Sequence, residues 1–342
     1  MYRWASKYLG RSATTCRMKS TLSDSQRHDI TSWLANKIRT VPIEQPTLFD
    51  HLNPSQVKAL ALTLPTLDGS NVLPEHRHFD YKKGSLLAPG HLLAFCNPSV
   101  PERELDTDGT TRVLPPPDPF VRRMWASGSF EFRKPLYVGD DIRADIRITK
   151  IEPKRLDTQP PVNPMIIVEQ TIATFPADAP ENKATRIEDA HTIETRAHVY
   201  MPLTNERRVR PVRGLPHYDF SFSYTPTDTT LFRFSALTFN AHRIHLDKEY
   251  SRNVEDLPER LVHGPMTAMM LLEVAESYKP KDLQISKFTY RATNQLYVND
   301  QITIHGAYVG NNEMTLWAES DNGVVGMVGD ISLVPSSFPA SK

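Results

Sequence analysis

Three histidines crowded around one loop and one helix start are the side chains of this sequence best suited to chemistry. The segment FSALTFNAHRIHLDKEYSR, residues 234–252, carries His242 and His245, and LVHGPM, residues 261–266, carries His263 directly before Gly264. An imidazole, with an ordinary pKa of about 6.5, accepts and returns protons near neutral pH. Gly264-Pro265 opens an apolar run, so the glycine amide lies at a helix start, where unpaired N–H groups and the helix dipole favour developing negative charge. A lone histidine is more often a structural hydrogen-bonding residue, but this grouping points to proton transfer beside an anion-stabilising amide. Asn240 and His245 would lie about 140° apart on a regular helix, so they converge only across a loop or broken turn. His242 and His245 with Asp247 resemble a metal set in composition. No matching ligand cluster and no helical HExxH accompanies them, and no metal is implied.

The elements that must hold these residues can be read from periodicity. The run MTAMMLLEVAES after Gly264-Pro265 is apolar almost all round, which predicts a helix buried against a sheet; its Met266, Met269 and Met270 read as core. Ile142, Ala144, Ile146 and Ile148 alternate with Arg143, Asp145, Arg147 and Thr149, the pattern of a strand with one wet face. Residues 165–175 and 194–201 extend that sheet, and Phe220, Phe222 and Tyr224 resume it. Upstream, Ile30, Trp33, Leu34 and Ile38 behind Ser23 and Asp24 predict an amphipathic helix, and Asn53-Pro54 starts a short one. The proline-rich residues 96–120 read as an ordered crossing loop on the surface.

The sequence also echoes itself. FRKPLYVGDDI at 132–142 returns as NQLYVNDQI at 294–302, and both copies precede an alternating strand. The echo predicts a duplicated domain. Where the second copy has its long helix, the first reads GSLLAPGHLLAFCNP, interrupted by Pro89-Gly90, so its helix must be shorter or broken. The expected division is a presequence at 1–23, a degenerate first domain at 24–201, a linker at 202–216 and a second domain at 217–335.

Composition bounds the rest. With 342 residues, the chain exceeds what one core usually serves. Forty basic and 40 acidic side chains cancel, so no global field recruits nucleic acid. The 28 prolines argue against a helix bundle. Residues 1–23 are rich in Arg, Lys, Ser and Thr and free of acids, the composition of a mitochondrial presequence. With Cys16 falling inside it, Cys96 is left as the single thiol, which excludes a disulfide framework. No stretch is apolar for the length of a membrane span, so a soluble mature protein is expected. No phosphate-cradling glycine motif is present, so no nucleotide cofactor is implied.

The segment around His245 resembles the hydratase-2 motif of the MaoC-like hotdog enzymes, Ser/Thr-Gly-Asp-x-Asn-Pro-Ile/Leu-His followed by a His-Gly at a helix start. FNAHRIH, together with RMWASGSFEFRKPLYVGD at 123–140, is similar to the fungal mitochondrial 3-hydroxyacyl-thioester dehydratases and the related mesaconyl-CoA hydratases, over roughly residues 80–335. The resemblance implies an α+β double hotdog: two fused domains, each an antiparallel sheet around a helix, the first one degenerate. It matches His245 to the family histidine and Gly264 to the glycine of the His-Gly. It also shows departures: Asn240 stands where the family has aspartate, His242 replaces asparagine and Arg243 replaces proline. His245 is then the expected general base, the Gly264 amide the oxyanion donor, and Asn240 a holder of water or of the histidine. His242, Arg243, His263, His91 and Arg123 are the expected substrate-binding residues. For His91 a packed loop position is an equal alternative. Arg122, Arg123 and the arginines of 207–213 read either as solvated surface or as receivers of a carrier-arm phosphate or an acidic carrier. The implied reaction is reversible dehydration of (R)-3-hydroxyacyl thioesters to trans-2-enoyl thioesters, in mitochondrial fatty acid synthesis in the matrix. The implied partner is an acyl carrier protein or coenzyme A thioester, with the chain a monomeric pseudo-dimer or a homodimer. A hotdog thioesterase and a non-catalytic acyl-thioester-binding protein remain the alternatives.

Overall fold

Ser23 begins the first helix with a reciprocal cap: its hydroxyl accepts from the Gln26 amide at 3.2 Å, and Gln26 Oε1 accepts from the Ser23 amide at 3.0 Å. The computed structural model describes residues 22–65, 82–111, 113–156, 163–180, 187–203 and 209–336; nearly all of the expected presequence lies outside them. The first half runs α1 (Asp24–Thr40), β1 (Ile43–Glu44), β2 (Leu48–His51), α2 (Pro54–Ala61), β3 (Arg122–Phe132), β4 (Asp141–Lys154), β5 (Met165–Pro176) and β6 (Thr192–Met201). The second runs β7 (Phe220–Tyr224), α3 (Asp228–Leu237), α4 (Arg243–Leu246), α5 (Lys248–Asn253), α6 (Gly264–Tyr278), β8 (Leu283–Ala292), β9 (Ile302–Gly310), β10 (Glu313–Ser320) and β11 (Val325–Pro335).

All of these strands join one antiparallel sheet in the order β1-β4-β5-β6-β3-β8-β11-β10-β9-β7, with β2 also on β4. The path β4-β5-β6-β3 is repeated in reverse as β8-β11-β10-β9, so the halves are related by a pseudo-two-fold axis between β3 and β8. Ser129 pairs with Thr289 there, and those two residues are separated by the same interval as the two sequence echoes. The echoed turns agree in detail. Tyr137 bridges Leu86 and Tyr297 bridges Leu261, and Gly139 and Asn299 both take the left-handed conformation, φ +94° and +68°, which glycine and asparagine tolerate best. The result is the expected α+β double hotdog.

Its core is wrapped around α6, where every residue from Met266 to Ala275 is buried. In the first half the matching position holds only the 3-10 turn His91–Ala94, also buried. Gly90 explains how it fits: a Cβ there would lie 2.8 Å from Leu272 Cδ1, and φ is +88°, so the turn is pressed directly onto α6.

Two local expectations are corrected. Arg143 is not on a wet face but 1% exposed; its guanidinium donates to Asp145 Oδ1 at 3.1 Å and to the Ala179 carbonyl and lies over the Phe175 ring. Burial of a charge is tolerated there because the donors are satisfied. The proline-rich loop is not wholly a surface feature either. Asp108 and Thr110 are buried, because the loop folds against the segment between α3 and α4. Among the described residues no helix is long and apolar enough to cross a membrane.

Candidate active site

The chain leaves α3 through a turn that brings the chemistry-bearing residues together. Thr238 Oγ1 donates to the Phe234 carbonyl at 2.7 Å, Phe239 turns at φ +50°, and Asn240 Oδ1 accepts from the His242 amide at 3.0 Å. This Asx turn is the non-helical link needed between Asn240 and His245. Helix α4 then makes a single turn and is tied to the approach to α6 by two bonds. The Leu261 amide donates to the Ile244 carbonyl at 2.9 Å, and His245 Nδ1 lies 2.8 Å from the Leu261 carbonyl.

A carbonyl only accepts, so the His245 proton is on Nδ1 and Nε2 is left as an acceptor. The His245 ring stacks on that of His263, the residue capping α6, with centroids 3.7 Å apart. His245 and Gly264 line one cavity of about 830 Å³ between the two halves. Asn240 and His242 line it from the second half, Arg123, Trp125 and His198 from the first. Gly264 is required for close approach: a Cβ would meet three Trp125 atoms at 3.0 Å. As the first residue of α6, its amide has no acceptor within the helix.

Not every expected site residue reaches this cavity. His263 is 0% exposed and sits behind His245, with Nε2 hydrogen-bonded to Ser235 Oγ at 2.8 Å. Arg243 points to solvent, where it pairs with Asp247 at 2.6 Å and covers Tyr250, because its place in α4 faces away from the buried Ile244 and His245. His91 is 2.7 Å from Glu273 inside the core and therefore packs the 3-10 turn against α6. The surface reading of Arg122 and Arg123 is also corrected. Arg122 forms a buried pair with Glu255 at 2.6 Å, and Arg123 enters the cavity, donating to the Thr111 carbonyl at 3.0 Å.

One residue was missed. Asp108, from the loop of the first half, places Oδ2 3.5 Å from His242 Nε2. Its sequence signal was only the Asp-Gly of a turn, which spacing alone could not connect to a histidine in the other half. Gly109 lets the loop come this close, since a Cβ would lie 2.1 Å from the Ala241 carbonyl oxygen.

Burial dominates the electrostatics. It lowers the pKa of His245 to about 4 against a weaker opposing bond from Leu261. It holds His242 and His263 well below the ordinary range, and the neighbouring imidazoles push the same way. The three imidazoles are therefore neutral at pH 7. Below 6.5 the unfolded chain binds protons that the folded site refuses, so stability falls with pH from about 6.5 down through about 4. The thermal unfolding midpoint, followed by circular dichroism, is expected to drop across that window, and less steeply when His245 is replaced by glutamine.

The chain is similar to known proteins over most of its length. The hydroxyacyl-thioester dehydratase type 2 family matches residues 90–298. The mesaconyl-C(4)-CoA hydratase of Chloroflexus aurantiacus is 32% identical over 206 residues, covering 58% of this chain and 67% of that protein. The mitochondrial hydroxyacyl-thioester dehydratase type 2 of Schizosaccharomyces pombe is 26% identical over 246 residues, 68% of this chain and 80% of that one. In fold, the MaoC-like dehydratase of Phytophthora capsici superposes with a TM-score of 0.62 at 14% identity, covering 89% of this chain and 99% of its own.

Proposed function

The chain belongs to the hydroxyacyl-thioester dehydratase type 2 family, and on that premise we propose that its cavity carries out reversible dehydration of (R)-3-hydroxyacyl thioesters to trans-2-enoyl thioesters. Hydro-lyase chemistry at an acyl thioester is the activity of this family and its hydratase relatives. The observation that carries the reading is the neutral His245, with Nε2 as acceptor, lining the same cavity as the Gly264 amide. In the hydration direction His245 takes a proton from water as its oxygen bonds to the β-carbon. Negative charge moves onto the thioester oxygen, where the Gly264 amide and the α6 dipole stabilise it. The proton then passes to the α-carbon. Asn240, whose Oδ1 is engaged by the His242 amide, offers its NH2 group to the substrate or water. Arg123 binds a polar or anionic part of the substrate.

The chain acts in mitochondria, in fatty acid synthesis in the matrix. The basic N-terminal composition and the mitochondrial relatives support this. An acyl carrier protein is the proposed donor of substrate, with coenzyme A thioesters accepted in its place. Pairing of β3 with β8 inside one chain supports a pseudo-dimer with domains at 24–201 and 217–335 joined by 202–216, present as a monomer or as a homodimer.

The test is incubation with crotonyl-CoA. Loss of the conjugated absorbance without release of free thiol is expected. Thiol release would favour a thioesterase, and an inert protein a binding role. Mesaconyl-C(4)-CoA is the second substrate to try, because Arg123 brings into the cavity a guanidinium that pairs with no carboxylate among the described residues.

A further inference from the structure

We infer that Asp108 and His242 form an imidazole–carboxylate unit that holds the reacting water beside His245, an inference that rests on His245 being the base. Asp108 Oδ2 lies 3.5 Å from His242 Nε2, and the two side chains are only 11% and 9% exposed. This is the ring's one polar contact among the described residues. The separation exceeds a good hydrogen bond, as catalytic contacts often do before substrate closes the site.

The carboxylate is held firmly from its own side. Asp108 Oδ1 accepts from the Thr110 amide at 2.8 Å and from its hydroxyl at 2.7 Å. The Asp108 carbonyl accepts the Arg243 amide at 2.8 Å, which ties the loop to the residue after His242. The other charged or titratable groups facing His242 are His245 and Arg123, with His263 behind His245.

A carboxylate opposite Nε2 selects the tautomer with its proton on Nε2 and leaves Nδ1 as the acceptor. His245 is fixed in the opposite tautomer by Leu261 and accepts at Nε2. The two rings meet edge to face with centroids 5.5 Å apart. Each acceptor can take one O–H of a single water. The O–H on His245 breaks as the water oxygen bonds to the β-carbon, and the double-bond electrons move onto the thioester oxygen. The O–H on His242 stays intact and becomes the product hydroxyl. The proton held by His245 returns to the α-carbon as the carbonyl re-forms, so one water is added and both rings end neutral. Asp108 thus acts through His242 as a positioning residue. It supplies, from the other half of the molecule, the carboxylate that Asn240 lacks.

Asp108→Asn keeps the shape but offers an NH2 donor to Nε2, which drives the ring proton to Nδ1 and aims a donor where an acceptor is needed. The kcat for crotonyl-CoA hydration is expected to fall about a hundredfold, with KM and the unfolding midpoint unchanged. Asp108→Glu is expected to recover part of the loss. His242→Gln should lose a similar factor, and adding Asp108→Asn to it should cost nothing more. Losses that multiply in the double variant, an Asp108→Asn enzyme with wild-type kcat, or a lowered unfolding midpoint at unchanged kcat would each overturn the inference. Activity surviving in His245→Ala would instead overturn the base assignment, a failure separate from the ratios among these variants.

Discussion

Replacing His245 with alanine is expected to lower kcat/KM for crotonyl-CoA hydration by about a thousandfold, within the range that general acid–base groups contribute. The size follows from the placement of the ring. Its Nδ1 is committed to the Leu261 carbonyl, so Nε2 is the atom left to move a proton. The Asn240 amide neither takes nor gives up a proton near neutral pH, and the Asp108 carboxylate acts on the site through His242. Deletion also strips the Leu261 carbonyl of its donor and unstacks His263, which costs about 1–3 kcal/mol of stability. Steady-state kinetics beside thermal unfolding separates the two effects: a folded variant that keeps activity within tenfold of wild type would remove His245 from the mechanism.

Gly109→Ala is the second change expected to have a large effect, although glycine carries no functional group. Its φ is +84°, and a Cβ would stand 2.1 Å from the Ala241 carbonyl oxygen. That partner is backbone and cannot swing aside, so the loop itself must retreat. Retreat breaks the bond from the Arg243 amide to the Asp108 carbonyl and withdraws the carboxylate from His242. A fall of about a hundredfold in kcat is expected if the loop positions water, together with about 1–3 kcal/mol of strain in stability. Gly84→Ala supplies the control. Gly84 has a similar φ of +90° but nothing within 4 Å of its missing Cβ, so that variant should show strain without loss of kcat. Equal losses in both variants would mean that backbone strain, not displacement of Asp108, is being measured.

Much of the architecture was legible because it is written in local patterns. The apolar run after Gly264-Pro265 became the buried α6, and the echo at 132–142 and 294–302 became the paired turns before β4 and β9. Pro89-Gly90 marked the place where the first half has only a 3-10 turn. His245 and Gly264 were legible together because a two-part motif, each part short and local, names both. Other residues were read by type and missed by place. Arg143 falls at a polar position of an alternating strand, yet its neighbours across the sheet and the Ala179 carbonyl enclose it. His91 could line a pocket or pack a loop until Glu273 of α6 came to meet it.

The sequence by itself determined the duplicated antiparallel plan, the long buried helix of the second half, and the imidazole and amide beside its start. Periodicity and turn chemistry act within a few residues, so one chain segment is enough to express them. Only the tertiary structure decided which carboxylate faces His242 and that Arg123 lines the cavity while Arg243 turns to solvent. Those choices depend on β3 pairing with β8 and on a loop of one half crossing to the other. Contacts of that kind are set by the distance between segments in space, which residue spacing does not encode.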